Sequence, residues 1–386
     1  MHRISRATAI VLLAAWPSFA GLARATDYWV TTYSDPAPDF CVTIDCSLRE
    51  AVRAANQGGS LDRILLSAGT YTLARAGASE NAALTGDLDI TNDLEIIGQG
   101  ATMTVIDAAG LDRVIEILGD GTSVRIDGVT IRGGAGTAPA GINVSGGTLT
   151  LERSEVRGNV APMGVPPGGV QVAAFGALIV HESTIADNDG GGLAIVQSTA
   201  TLENVTLDSN LNADEIEAVG GSVVTCQQCT VRASGDDTAV FATGDGTSVA
   251  FANSIVAGSC VAFNAAVVDS EGGNIESAGD TCGFGLASDH PGVSSISLGL
   301  GSLADHGGPT RTRVPSPSSA ARDQGITPAC LAKDQRGLAR PVDGDGIPGA
   351  FCDVGAVEAS VERPPTPIFN DGVEQRSTAA WSDRAP

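Results

Sequence analysis

Few residues of this chain have the type and spacing that chemistry requires. Glu152, His181 and Glu203 each close a segment of one kind: Leu149-Thr-Leu151-Glu152, Leu178-Ile-Val180-His181 and Ala200-Thr-Leu202-Glu203. As in-register parallel strands, these would place the two glutamates two rungs, about 9–10 Å, apart. An inverting glycosidase separates its carboxyls by roughly 6.5–9.5 Å and a retaining one by about 5 Å. The same column also contains Asp127, Gln227 and Ala252, as a plain solvent face would. A lyase needs a base, often Lys or Arg, but the sole lysine, Lys333, falls outside these segments. Arg125, Arg132, Arg153 and Arg157 stand near Asp127, Glu152 and Glu155, as solvated ion pairs worth little each. Asp343-Gly344-Asp345-Gly346 has the opening of a calcium loop, whose alternating carboxylates suit a hard cation. It lacks the third alternating oxygen and the distal glutamate, so a surface Asp-Gly turn is the plainer reading and structural calcium at Asp343 and Asp345 the alternative. No Ser-His-Asp order stands out, and no other cofactor is indicated.

These residues belong to a repeat. Six segments align on Ile126, Leu151, Val180, Leu202, Cys226 and Phe251, at steps of 22 to 29 residues. The columns two residues earlier and five later are apolar in all six rows. Eight residues on stand Gly134, Asn159, Asn188, Asn210, Ser234 and Ser259, small or polar groups that can stack from rung to rung. Apolar and polar residues alternate within each row, the period of a strand. A unit of about 25 residues is too short for a propeller blade and has no helical face for a leucine-rich repeat. The expectation is an all-β, single-stranded, right-handed parallel β-helix of about nine coils over residues 61–286. Ser47-Leu48-Arg49-Glu50 forms a capping box, and Leu48, Ala51, Val52 and Ala55 give the following helix one apolar face. That helix should plug the open first coil, within an N-terminal cap over 26–60. Tyr28, Trp29, Tyr33 and Phe40 are expected to pack there.

Residues 1–25 read as a secretory signal: Arg3 and Arg6, an apolar run from Ala7 to Trp16, then Ala23-Arg24-Ala25. Export makes the eight cysteines disulfide formers. Neighbours suggest Cys41–Cys46, Cys226–Cys229, Cys260–Cys282 and Cys330–Cys352, although eight cysteines allow 105 pairings. Zinc is the alternative for Cys226-Gln-Gln-Cys229, unsupported by a second close Cys or His pair. The formal charge of −23 over 386 residues repels phosphate backbones and excludes nucleic acid as a partner. No later stretch is apolar for long enough to span a membrane. Only three Tyr and three Trp are present, few for the aromatic platforms of a carbohydrate cleft.

Cys46-Ser47-Leu48-Arg49-Glu50-Ala51 resembles the signature of CSLREA-domain proteins, as do Ala68-Gly69-Thr70-Tyr71 and Leu84-Thr85-Gly86-Asp87-Leu88-Asp89-Ile90. Leu303-Ala-Asp-His306-Gly-Gly-Pro-Thr310, Asp334-Gln-Arg-Gly337, Arg340-Pro341 and Cys352-Asp-Val-Gly-Ala-Val357-Glu358 resemble the choice-of-anchor Q region, with His306 where Asn is expected and Val357 where Tyr is expected. The resemblance spans about residues 28–358. It implies a secreted bacterial right-handed β-helix protein with no established reaction or catalytic residues to carry over. It also implies a C-terminal region over 287–358 and a sorting or flexible tail over 359–386.

The sequence therefore predicts an exported, monomeric, non-catalytic scaffold at the cell surface or released, whose acidic face serves adhesion or binding of an extracellular carbohydrate or matrix surface. The alternatives are a polysaccharide-active lyase or glycoside hydrolase using Glu152 and Glu203, and a passive spacer with no ligand.

Overall fold

The computed structural model describes residues 25–359, apart from 79, 138, 163, 165, 166 and 344–349; Asp345 and, but for residues 25 and 359, the expected signal and tail lie outside the described residues. Three parallel sheets run its length, of ten, ten and eight strands. The first sheet runs from Asp27–Trp29 to Val267–Gly272, the second from Gly69–Thr72 to His290–Val293, and the third from Leu88–Ile90 to Ser259–Phe263. Eight coils place one strand in each sheet, and a ninth supplies Val267–Gly272 and Ile275–Ser277. This is the parallel β-helix expected from the repeat.

The registers are those that the columns demand. Ile126, Leu151, Val180, Leu202, Cys226 and Phe251 pair in turn, and all are buried. A one-residue slip would turn every such side chain to solvent, so the apolar column itself sets the register. Polar groups brace the corners. Asn159 Nδ2 donates to Asn188 Oδ1 and Asn188 Nδ2 to Asn210 Oδ1, both at 2.9 Å. The ladder ends on Glu215, fully buried, which accepts from Asn210 N and Nδ2. Burial pushes the Glu215 carboxyl well above the usual range.

At the N-terminal end, helix Leu48–Ala55 carries the capping box of Ser47 and Glu50 and buries Leu48, Ala51, Val52 and Ala55. It packs on strands Asp62–Leu65 and Leu88–Ile90 of the first coil. Arg49, fully buried, pairs with Asp35 at 2.8 Å and donates to the carbonyls of Gly86 and Asp87 at 2.7 and 2.9 Å. The expected aromatic packing is only partly found. Tyr33 lies 5.0 Å from Tyr71, ring to ring, whereas Trp29 and Phe40 are 65% and 82% exposed. Trp29 sits at an outward position of the edge strand, so alternation turns it to solvent.

Three disulfides follow sequence order: Cys41–Cys46, Cys260–Cys282 and Cys330–Cys352. The fourth expected pair, Cys226–Cys229, is not formed, and both thiols are free and buried. Cys226 fills the inward column between Leu202 and Phe251, and Cys229 follows the corner residue Gln228 (φ 52°). Both serve as small apolar side chains of the core. The neighbouring Cys229 thiol, together with burial, pushes the Cys226 thiol well above its usual range. Among the described residues these cysteines belong to no cluster of three metal-ligating side chains, so zinc gains no support.

After strand His290–Val293 the chain turns back along the corner between the first two sheets. Asn253 exchanges hydrogen bonds with Ile326, Thr310 donates to the Glu182 carbonyl, and Arg311 N reaches Glu155. This return segment thus spans the coils from Asn253 to Glu155.

Candidate functional site

The site lies where three consecutive strands meet that corner. Thr148–Glu152, Ala177–His181 and Thr199–Glu203 end in register, so Glu152, His181 and Glu203 stack on successive coils as the sequence predicts. The residue after each strand, Arg153, Glu182 or Asn204, turns the corner with φ of 46°, 49° and 53°. A non-glycine residue in this left-handed region costs about 1 kcal/mol, met here by the ladder bonds on either side. These three corner residues join the strand-end residues in lining a cleft of about 410 Å³, closed on its far side by Leu331, Ala332 and Lys333.

Hydrogen bonds hold that far wall in place. Asn204 Nδ2 donates to the Lys333 carbonyl at 2.9 Å, and Leu331 N donates to Gln228 Oε1 at 2.6 Å. Just beyond, buried Gln335 accepts from Thr206 Oγ1 and donates to Ser183 O at 3.0 Å. Lys333 itself is exposed. The sequence reading set it outside the coils, and the returning chain brings it to the cleft.

The charges are arranged unequally. His181 Nδ1 lies 3.2 Å from Glu203 Oε2, both about one-third exposed. Glu152 is held by Arg125 at 2.6 Å and approached by Arg153 at 3.5 Å. The Arg125 hydrogen bond holds the Glu152 carboxyl below the usual range, in spite of partial burial. A glycosidase acid must keep its proton near neutral pH, which requires a shift in the opposite direction. Glu152 therefore does not suit the acid's role. Glu203 is engaged with His181, which occupies the rung between the two glutamates. The pair that remains is His181 with Glu203, an imidazole and a carboxyl in contact, the group types that general acid–base chemistry uses. No Phe, Tyr or Trp lines the cleft among the described residues, so a ligand would be held mainly by hydrogen bonds and charge.

The second sequence candidate falls only partly within the described residues. Asp343 is half-buried, while Asp345 lies outside the described residues. Sequence reasoning missed the cleft roles of Arg153, Glu182 and Asn204, although their place after each strand end was a signal.

No family model matches the chain, and no curated protein matches it. Solved structures do. Pectate lyase Pel9A is 16% identical, with 88% of this chain and 98% of that chain covered and a TM-score of 0.45. The A-module of the Azotobacter vinelandii mannuronan C-5 epimerase AlgE4 is 14% identical, with 67% and 92% covered and a TM-score of 0.31. At these identities no chemistry passes from them to this chain.

Proposed function

We propose that the protein is an exported β-helix that binds an extracellular polysaccharide in the cleft between Glu152, His181, Glu203 and Lys333, without turning it over. The observation that carries this reading is the convergence of these four residues, from three coils and a distant loop, on one open cleft. Alternating carboxylates, a histidine and cations along a row suit the hydroxyls and charged substituents of successive sugar units. The disulfides fit an oxidising compartment. No helix among the described residues is long and apolar enough to cross a membrane. The Cys46–Ala51 run, with its capping box in place, supports membership of the CSLREA group.

A second reading is favoured by one specific observation. The His181–Glu203 pair stands beside Lys333 in the cleft, so a proton acceptor and a cation face one space, as a polysaccharide lyase would use them. The test is to incubate the full exported chain with a polysaccharide panel, measuring binding by glycan array and turnover by reducing ends and ultraviolet absorbance. Binding weakened tenfold or more in both His181→Ala and Lys333→Ala, with no turnover, is the result expected. Turnover abolished in His181→Ala would replace the binding role with catalysis. Silence in both assays would leave a passive spacer and overturn both readings.

A further inference from the structure

A second group of chemistry-bearing side chains lies away from the cleft, on the third sheet of the first two coils. Strand Leu88–Ile90 pairs with Ile115–Leu118 so that Asp89 stands opposite Glu116, and Asp87 precedes the first strand. One carboxylate oxygen from each of Asp87, Asp89 and Glu116 lies within 4.8 Å of the other two. These are outward positions, yet Asp89 is fully buried and Asp87 only 5% exposed. The connection between Gly69–Thr72 and Leu88–Ile90 covers them. Within it, Ala83 N donates to Asp89 Oδ2 at 2.8 Å, Glu80 accepts from Ala82, Leu84 and Thr85, and Arg49 holds the carbonyls of Gly86 and Asp87.

The site is short of positive charge. Arg113 reaches Glu116 at 2.6 Å and Asp87 at 3.5 Å, so three carboxylates and one guanidinium sum to −2. Asp112 and Glu80 stand close enough to add to the repulsion. Asp89 Oδ1 and Asp87 Oδ2 are buried with no hydrogen-bond partner among the described residues. The same holds for Oδ1 of Asn143, one rung beyond Glu116, whose amide donates to Glu116 Oε1. A buried oxygen without a partner costs roughly 1–3 kcal/mol, and more when it is charged. Burial accordingly pushes Asp87 up to about 7 and Asp89 to about 6.

We propose that Asp87, Asp89 and Glu116 form a binding site for a divalent hard cation, calcium in particular, that fastens the covering connection to the first two coils. A +2 ion cancels the residual charge, supplies the partner that Asp89 Oδ1 lacks, and adds to the single 3.5 Å contact that Asp87 Oδ2 makes with Arg113. Calcium binds oxygens at roughly 2.3–2.6 Å, so ligands on opposite sides of the ion stand about 5 Å apart. The oxygens here fit that span. The motif Leu84-Thr85-Gly86-Asp87-Leu88-Asp89-Ile90 would thus owe its two aspartates to a metal.

The test uses the full exported chain, stripped with chelator and titrated with calcium chloride, followed by melting temperature and isothermal calorimetry. The expected result is a saturable rise of several degrees with a matching heat. Asp89→Asn and Glu116→Gln should lose it, and Asp343→Asn should keep it. Asp89→Asn keeps the side chain's shape and removes like-charge repulsion, so its metal-free melting temperature should equal or exceed that of the parent. Glu116, half-buried, gives a second variant of low folding risk. A parent chain with neither shift nor heat at millimolar calcium would overturn the proposal. So would a full shift surviving in both variants.

Discussion

Asn204 and Lys333, 129 residues apart in the chain, are joined by a 2.9 Å hydrogen bond from the Asn204 side-chain amide to the Lys333 carbonyl. Asn204 also turns a corner with φ of 53°, so one residue shapes the floor of the cleft with its backbone and holds the far wall with its side chain. Replacing it separates the two roles. Asn204→Gly should relieve the backbone while freeing the wall, and Asn204→Ala should add about 1 kcal/mol of strain. Both should weaken glycan binding alike, while urea melts should show the alanine variant less stable than the glycine variant. Equal stability would mean that the corner carries no strain.

The asparagine ladder should dominate the middle of the stack. Asn188 accepts from Asn159 N and Nδ2 and donates to Val156 O and Asn210 Oδ1. Asn188→Ala leaves those buried groups unpaired and should cost about 3 kcal/mol, read as a lower urea midpoint. A loss under 1 kcal/mol would show that water replaces the amide without penalty.

At the cap, Arg49→Lys retains the charge but cannot match the fork that holds Asp35 and two carbonyls at once. Breaking a buried pair costs roughly 3–5 kcal/mol, and the lysine variant should lose a large part of that. Thermal melts of Arg49→Lys and Arg49→Ala should fall close together. A lysine variant as stable as the parent would show that charge alone suffices there.

Stability should fall as pH rises toward neutrality. Burial raises Glu358 to about 7 and Asp353 to about 6. The folded state therefore holds protons that the unfolded chain has released, and the stability they contribute disappears between pH about 4 and 7. Glu215 acts in the same direction. Unfolding free energies from urea melts at pH 5 and pH 7.5 should differ by about a few kcal/mol at most, with a smaller difference in Glu358→Gln. A midpoint that climbs with pH would refute this account.

Cys226 and Cys229 offer a simple count. A thiol reagent should find no reactive group in the native protein and two per chain in guanidinium without reductant. A count of zero in guanidinium would mean that the two are bonded to each other.

Much of the coil geometry was legible because stacking is local and periodic. One buried column, Ile126 through Phe251, carries the register, and Ser47 and Glu50 spell out a helix start within four residues. The cleft was half legible: the Glu152–His181–Glu203 row follows from the same period, whereas Lys333 arrives by a turn with no periodic signal. Cys226 and Cys229 misled because adjacency suggested a bond, while their positions in the coil demanded core packing. The Asp87, Asp89 and Glu116 cluster was hidden for another reason. These residues look like solvent-facing strand positions until the connection ahead of Asp87 folds over them.

The return segment changes what kind of polymer the coils make. A plain stack couples each rung only to its neighbours and can fray from an end, one coil at a time. Here a single strap grips rungs from Glu155 to Asn253, so opening one rung also strips contacts from others several steps away. The array should break as a block rather than as a zipper. Since the strap can seat only on completed coils, its docking would also mark the moment at which a chain emerging N-terminus first becomes locked.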